Sequence, residues 1–297
     1  MLQSALATGL RQTLQRVVKP MLNPSLGVPL QRTLIRQAYR SSLPPLGSRF
    51  QSTTLGGVDT LKVSCQSDDR YGLLYLHGGA YIVGSPATHR GLTGHLAKAT
   101  GATVYAIDYR LAPKHPYPAA LDDAVSAYRA LLDQGIPADR LSVAGDSAGG
   151  GLSLALAMRL RDEKLPLPAS LTLLSPWTDL THTSLYTPVV EPLLQQRWID
   201  NAARLYCHGE PRNHPYISPL FGDLSGLPPM LVQVGSEEIL LNDSERLARK
   251  VREQGGEVAL EVYNGLWHVF QVHAGQLSRA TDAIQAAGQH IRRHQAL

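Results

Sequence analysis

The chain has 297 residues, a length that suits one large α/β domain or two smaller ones and that can bury a sizeable core. Its hydrophobic fraction of 43% and charged fraction of 18% are typical of a globular protein and argue against a disordered or collagen-like chain. The two cysteines, Cys65 and Cys207, form no metal-spaced cluster, which disfavours a disulfide framework or a zinc ribbon and favours a reducing, cytoplasmic compartment.

Positive charge is concentrated near the N-terminus, although the formal net charge is only +4. The rest of the chain carries more acidic than basic residues. Because the basic residues do not extend over a broad face, we expect no nucleic-acid partner. The first acidic residue is Asp59, and the basic residues before it are Arg11, Arg16, Lys19, Arg32, Arg36, Arg40 and Arg49.

The first 45 residues show helical periodicity, with a second periodic stretch from Leu30 to Tyr39. No apolar run reaches the roughly 18 residues that a transmembrane helix needs, so we expect no stable membrane insertion. Three interpretations stay open: a pair of cap helices packed on the body of the protein, a cleaved transit segment, or a helix on a membrane surface. The apolar residues of the first stretch recur at every fourth position: Leu2, Leu6, Leu10, Leu14 and Val18.

Beyond Val58, apolar runs alternate with helical patterns, which predicts βαβ units and a mostly parallel sheet covered on both faces. The alternation stops between Leu180 and Pro219, where prolines crowd together and predict an insert outside the sheet. The predicted strands are Leu73–Leu76, Thr103–Ile107, Leu141–Ala144, Leu171–Leu174, Met230–Val234 and Val258–Val262. The predicted helices are Gly91–Thr100, Ala119–Gln134, Gly149–Asp162 and Asp243–Gln254.

The pentapeptide Gly145–Gly149 has the pattern G-x-S-x-G and lies between a predicted strand and a predicted helix. In that context Ser147 occupies a sharp strand-to-helix turn that exposes its hydroxyl at a helix N-terminus. The alternative is a glycine-rich turn that binds phosphate or only reverses the chain. The usual spacings of dinucleotide-binding and P-loop motifs do not occur here, so the serine nucleophile is favoured.

A serine nucleophile needs hydrogen-bond donors for the developing oxyanion and a general base. The loop His77–Ala80 follows a predicted strand, and the backbone N–H groups of Gly78, Gly79 and Ala148 are the predicted oxyanion donors. His77 is expected to brace this loop rather than to transfer protons.

Of the eleven histidines, His268 is the favoured general base, because it follows the last predicted strand and so lies at the same sheet edge as Ser147. His273, in the segment that follows, is the weaker candidate. Most of the others lie elsewhere: His89 and His95 in a helical stretch, His182, His208 and His214 in the insert, and His290 and His294 in the polar tail.

Together these motifs resemble the bacterial hormone-sensitive-lipase family of α/β-hydrolases, in order over residues 50–275. The resemblance implies an eight-stranded core, a cap formed by the N-terminal segment and an insert, and ester hydrolysis without metal or cofactor. Two departures occur: Ala80 replaces the third glycine of the oxyanion loop, and the family's Asp-Pro-Leu-x-Asp motif is absent. The motifs are HGGAY at 77–81, DYRLAP at 108–113, PYPAA at 116–120, GDSAGG at 145–150, SPWTDL at 175–180, ISPL at 217–220, EILL at 238–241 and WHVF at 267–270.

The acid that orients the histidine has three candidates: Glu237, Glu238 and Asp243. Asn242 is a candidate N-cap, so Asp243 lies in the first turn of a predicted helix, where the helix dipole already accounts for it. Glu237 and Glu238 are adjacent and point apart. Alignment with the family's acid motif selects Glu238.

We therefore predict an α/β-hydrolase fold with N-terminal cap helices at 1–45, core segments at 46–180 and 215–297, and a cap insert at 181–214. The predicted function is hydrolysis of short- to medium-chain carboxylic esters by a triad of Ser147, Glu238 and His268. A lactone or amide hydrolase with the same triad and a non-catalytic ligand receptor are the alternatives. The expected partner is a small-molecule ester, and a homodimer is left open.

Overall fold

Eight strands form a single sheet in this computed structural model, which describes residues 2–295. Met1, Ala296 and Leu297, at the ends of the first and last predicted segments, lie outside the described residues, as do the side chains of Leu2 and Arg40. The strands are β1 (Arg49–Leu55), β2 (Val58–Ser64), β3 (Asp68–Leu76), β4 (Ala102–Ile107), β5 (Leu141–Asp146), β6 (Leu171–Leu174), β7 (Met230–Gly235) and β8 (Val258–Tyr263).

The strand order is β1-β2-β4-β3-β5-β6-β7-β8. The five pairs β4–β3, β3–β5, β5–β6, β6–β7 and β7–β8 are parallel. The β1–β2 and β2–β4 pairs are antiparallel. The six predicted strands are confirmed, with β3 extended toward its N-terminus. The resemblance implies eight strands, but the sequence pattern did not locate β1 and β2. Strand β1 buries only its last residue, Leu55, so its sequence lacks the apolar run that marked the central strands.

The main helices are α4 (Arg90–Thr100), α5 (Ala119–Asp133), α6 (Ala148–Asp162), α8 (Leu241–Glu253) and α9 (Ser278–Gln295), and the insert contains α7 (Gln196–Cys207). Helices α4 and α9 pack together on one face of the sheet, and α5 and α6 pack together on the other. The four predicted helices are confirmed to within two residues at each end.

Strand β3 shows how the sheet separates these two layers. Leu73 and Tyr75 belong to the apolar cluster with α4 and α9, whereas Leu74 and Leu76 belong to the cluster with α5 and α6. All four side chains are fully buried. Successive residues of a strand point to opposite faces, so a strand that is covered on both sides is apolar throughout. Burying one such leucine stabilises the fold by about 1.5–3 kcal/mol.

The N-terminal segment is helical. It contains α1 (Leu2–Thr13), a π-helical turn (Leu14–Val18), α2 (Lys19–Met21) and α3 (Val28–Ala38). The guanidinium of Arg32 donates to the carbonyl oxygens of Ile82 (2.9 Å) and Ala112 (3.0 Å), which attaches α3 to core loops. The indole of Trp198 in α7 donates to Gln31 Oε1 in α3 (2.7 Å), so this segment and the insert contact each other. Within residues 2–295, no helix is long and apolar enough to cross a bilayer.

Candidate active site

Ser147 lies at the turn from β5 into α6, with a φ of +52° that side-chain-bearing residues rarely adopt. The turn is possible because Gly149 lets the chain pass very close to β3: a Cβ there would lie 1.9 Å from the carbonyl oxygen of Leu76. Backbone bonds hold the turn, since the Ser147 N–H donates to Leu174 (2.9 Å) and its carbonyl accepts from Trp177 (2.9 Å). The serine side chain is thereby presented at the carboxyl edge of the sheet, directly before the N-terminus of α6.

His268 follows β8, and its Nδ1 lies 2.6 Å from Glu238 Oε2. Glu238 is completely buried after β7, where its other oxygen accepts from the Ser175 hydroxyl (2.9 Å) and the Gly235 N–H (2.5 Å). Ser175 Oγ in turn accepts from the Val269 N–H (3.1 Å). One carboxylate oxygen is therefore held by the ends of β6 and β7, which directs the other oxygen at the imidazole.

The electrostatic environment of His268 favours its protonated form. Burial lowers the pKa of the imidazole, but the charge and hydrogen bond of Glu238, with smaller contributions from Glu191 and Asp146, outweigh burial and raise that pKa above 6.5. A raised pKa means that the ring accepts a proton readily when a nearby hydroxyl gives one up.

Asp146, which is buried next to Ser147, binds the oxyanion loop (residues 77–80) to the turn from β5 into α6, which is called the elbow below. Its Oδ1 accepts hydrogen bonds from the Gly78 N–H (2.9 Å) and the Tyr75 hydroxyl (2.5 Å), and its Oδ2 lies 3.4 Å from His89 Nε2. Burial raises the pKa of Asp146, but His89 and the Tyr75 hydrogen bond outweigh burial and lower it. The carboxylate therefore stays charged and anchors the loop.

His77 begins this loop and is buried against Tyr109, with the two rings stacked 4.2 Å apart. Tyr109 also donates to the His77 carbonyl oxygen (2.6 Å). Burial lowers the pKa of His77 to about 3, so its ring is neutral. These contacts are those of a bracing side chain.

One cavity of about 40 Å³ is lined by Ser147, His268 and Gly79. The serine, the histidine and the oxyanion loop therefore face the same space. The N-terminal segment and the insert contribute most of its apolar wall: Val18, Leu22, Ile35, Tyr39, Leu193, Leu194 and Trp198. A serine at a strand-to-helix turn and a histidine line this cavity, and a buried carboxylate binds the histidine. These three groups form the constellation of acyl-transfer enzymes.

Comparison with known proteins agrees with this geometry. The family profile of the alpha/beta hydrolase fold matches residues 73–272. An acetyl-hydrolase of Streptomyces hygroscopicus is 44% identical over 225 residues, which cover 74% of this chain and 75% of that protein. The putative acetyl-hydrolase LipR of Mycobacterium tuberculosis is 37% identical over 276 residues, which cover 91% and 88%. The crystal structure of a hormone-sensitive lipase from a metagenome library superposes with a TM-score of 0.91 at 38% identity, and the match covers 99% of each chain.

The chain belongs to the bacterial hormone-sensitive-lipase family of α/β-hydrolases. It is an esterase of that family.

Two expectations for this esterase need correction. The Gly78 N–H is bound to Asp146, so it is not free for a substrate oxygen and the prediction of Gly78 as an oxyanion donor is wrong. Asn242 does not cap a helix: α8 begins at Leu241, and the Asn242 amide donates to the Ser184 carbonyl oxygen (3.0 Å).

The remaining predicted site residues lie as follows. Gly79 and Ala148 donate to no acceptor within residues 2–295. Glu237 points away from the histidine and pairs with Arg11 (3.0 Å). Asp243, buried at the start of α8, accepts from the backbone N–H of Thr178 (2.8 Å).

Sequence reasoning assigned no role to three side chains that organise this site: Asp146, Ser175 and Glu191. The sequence does mark Asp146 and Ser175, because each belongs to one of the family motifs and lies at the carboxyl end of a strand. Glu191 had none, because it lies in a proline-rich segment without periodicity.

The Glu191 carboxylate joins the insert to the acid loop, which is the segment 236–240 between β7 and α8 that carries Glu238. Its Oε1 accepts from the N–H groups of Leu193 (2.8 Å) and Leu194 (2.9 Å), and its Oε2 accepts from the Ile239 N–H (2.8 Å), next to Glu238. Burial raises the pKa of Glu191, while these three donors act against that rise. Its negative charge is one of the contributions that raise the pKa of His268.

Replacing Glu191 with Gln should therefore shift the pH profile of the esterase. On the prediction that His268 is the general base, kcat/KM falls as pH drops through the raised pKa of His268, because the base must be neutral. Removing the Glu191 charge lowers that pKa, so the acid limb of kcat/KM should move to lower pH, as measured on a neutral ester.

Glu237→Gln is the matched control, because Glu237 is paired with Arg11 and makes no contact with His268. Its acid limb should coincide with that of the wild type. An unchanged limb in Glu191→Gln, or a shift to higher pH, would show that Glu191 does not act on His268.

Proposed function

We propose that this esterase hydrolyses short- to medium-chain carboxylic esters through a serine acyl-enzyme. The observation that carries the proposal is the 2.6 Å contact of Glu238 with His268 Nδ1, at a cavity that Ser147 also lines. The carboxylate holds the ring in the tautomer whose Nε2 is free to accept a proton.

In the first half-reaction, Ser147 Oγ attacks the ester carbonyl while His268 Nε2 takes the hydroxyl proton. Glu238 stabilises the imidazolium that forms. His268 then gives this proton to the alkoxy oxygen, the bond between that oxygen and the carbonyl carbon breaks, and the alcohol leaves. In the second half-reaction a water molecule attacks the acyl-enzyme, with His268 again the base, and the acid and Ser147 are released.

The oxyanion of both tetrahedral intermediates needs backbone donors that are not already engaged. We assign this role to the N–H groups of Gly79 and Ala148, with Ala80 in place of Gly78. None of these three N–H groups has an acceptor in the described part of the chain. Asp146 supports them indirectly, because its bond to Gly78 holds the loop beside the elbow.

We propose further that residues 1–45 and 181–214 form the cap. Tyr39 from the first segment and Leu193 from the second both line the cavity at Ser147. A cap that closes directly over the nucleophile limits the length of the acyl chain.

Substrate size follows from this enclosure and is testable. We expect a higher kcat/KM on a soluble butyrate ester than on emulsified triolein, because the narrow cavity at Ser147 cannot admit a long acyl chain. Both substrates are measured in the same buffer, with Ser147→Ala as the blank for each. A preference for triolein would contradict the proposed substrate class while leaving the serine mechanism intact.

A further inference from the structure

The oxyanion loop lies directly against the carboxylate of Asp146. A Cβ atom at Gly78 would be 2.1 Å from Asp146 Oδ2, so only the bare backbone of a glycine fits there. The bond from the Gly78 N–H to Oδ1 fixes the chain immediately before Gly79 and Ala80, whose N–H groups have no acceptor in the described part of the chain. The position of these two donors therefore depends on how firmly Asp146 binds Gly78.

The strength of that bond depends on the charge of Asp146, because a hydrogen bond to a carboxylate is about twice as strong as one to a neutral acceptor. Asp146 is 1% exposed, and burial by itself favours the neutral acid. Oδ1 accepts from Gly78 and Tyr75, whereas Oδ2 faces His89, whose Nε2 lies 3.4 Å away. Among the described side chains, no other forms an ion pair with Asp146. His89 is thus the group that can balance the buried charge.

The contacts of the His89 ring indicate its protonation state. Nδ1 lies 2.8 Å from Thr88 Oγ1 and 3.1 Å from the Ser85 carbonyl oxygen. A carbonyl oxygen only accepts, and the Thr88 hydroxyl donates its hydrogen to that same carbonyl oxygen (2.7 Å), so Nδ1 carries a hydrogen. If Nε2 carried none, its lone pair would face the Asp146 carboxylate. Hydrogens on both nitrogens, which make the ring a cation, satisfy the contacts on both sides.

The surroundings of His89 offer no competing charge. Burial lowers the pKa of His89, but the interactions with the Asp146 carboxylate and the Ser85 carbonyl oxygen outweigh burial and raise that pKa above 6.5. Burial lowers the pKa of His77 to about 3 and raises the pKa of both neighbouring tyrosines, so all three rings are neutral near pH 7. The three rings that pack on His89 are those of Tyr39, Tyr75 and His77, with centroids 5.3, 6.2 and 5.6 Å away.

We propose that His89 is a positioning residue for the oxyanion donors. Its imidazolium pairs with Asp146 and keeps that carboxylate charged. The charged carboxylate holds Gly78, which aims the N–H groups of Gly79 and Ala80 at the oxyanion. His89 itself touches no reacting atom. The proposal rests on the proposed function, because the oxyanion exists only in that mechanism.

The test compares His89→Phe with the wild type on a short-chain p-nitrophenyl ester. Phenylalanine keeps an aromatic ring in the same place but offers Asp146 no charge. We expect kcat and kcat/KM to fall together by about tenfold with KM unchanged, because the donors act on a charge that develops only in the transition state. A variant whose cavity had merely lost its shape would instead show a raised KM.

His95→Phe is the matched control. His95 lies in the same helix as the segment that follows His89, α4, and its Nε2 is 3.2 Å from the Leu43 carbonyl oxygen. It does not line the cavity at Ser147. Its replacement removes an imidazole and a polar contact without affecting Asp146, so kcat and KM should stay at their wild-type values.

A double variant tests the route through Asp146 and keeps the test decisive if His89→Phe does not fold. The amide of Asp146→Asn still offers Gly78 a carbonyl oxygen but has no charge for His89 to balance. Adding His89→Phe to Asp146→Asn leaves no buried charge unpaired and should change kcat by less than about twofold, because the two residues act as one unit.

Wild-type kcat in a folded His89→Phe variant would overturn the proposal, as would a raised KM without loss of kcat. A tenfold further loss of kcat on adding His89→Phe to Asp146→Asn would overturn it as well. In each case Ser147-dependent hydrolysis by the wild type would leave the proposed function standing. Absence of any Ser147-dependent hydrolysis would overturn the proposed function and, with it, the positioning role of His89.

Discussion

Replacing Ser147 with Ala should lower kcat for ester hydrolysis by about 10⁴-fold or more, measured on a short-chain p-nitrophenyl ester. The variant lacks the oxygen that forms the acyl-enzyme in the proposed mechanism. What remains is substrate binding and the oxyanion donors of the loop and of Ala148. Thermal unfolding should change little, because the hydroxyl at the elbow contributes no core packing.

Ser153→Ala is the control for this variant. Ser153 lies further along the same helix, α6, where it is fully buried and its hydroxyl donates to the Gly149 carbonyl oxygen (2.7 Å). This change removes a hydroxyl from the same helix without touching the nucleophile, so most activity should remain. Near-wild-type turnover in Ser147→Ala would contradict the proposed serine mechanism.

The second large effect is expected at the acid. Glu238→Gln should lower kcat by about 10²–10⁴-fold, because the amide does not stabilise the imidazolium and can donate to Nδ1, which stabilises the wrong tautomer. Both oxygens of Glu238 are engaged, one by His268 and one by Ser175 and Gly235, so the amide also disturbs the groups that orient it.

Glu237→Gln separates this effect from a general change in the acid loop. Its carboxylate is paired with Arg11 of the N-terminal segment, so its loss should alter kcat far less than the loss of Glu238. Steady-state kinetics on one ester compares the two variants directly. If Glu237→Gln loses most of its activity while Glu238→Gln is nearly as active as the wild type, then Glu237 rather than Glu238 is the acid of the triad.

The parts of the fold that could be predicted are those with a local signal. Strands β4, β5 and β7 are buried over their whole length, so their sequences are apolar runs that contrast with the helices between them. The edge strand β1 carries no such contrast, since six of its seven residues are exposed or half-buried. The turn at Ser147 could also be predicted. The backbone comes so close to itself and to β3 there that positions 145 and 149 require glycine, whatever the neighbouring residues are.

The sequence by itself determined the strand–helix alternation, the serine turn and the approximate place of the histidine, because each depends on neighbours within a few positions. Which groups meet was decided by tertiary structure. Gly78 and Asp146 are 68 positions apart, yet they form a hydrogen bond. That bond occupies the Gly78 N–H, which the loop motif alone predicts to be an oxyanion donor. Glu191 reaches Ile239, 48 positions away, and thereby places a second carboxylate near His268. Electrostatic and hydrogen-bond interactions act over a few ångströms in space, and distance along the chain does not indicate which groups the folded sheet brings that close.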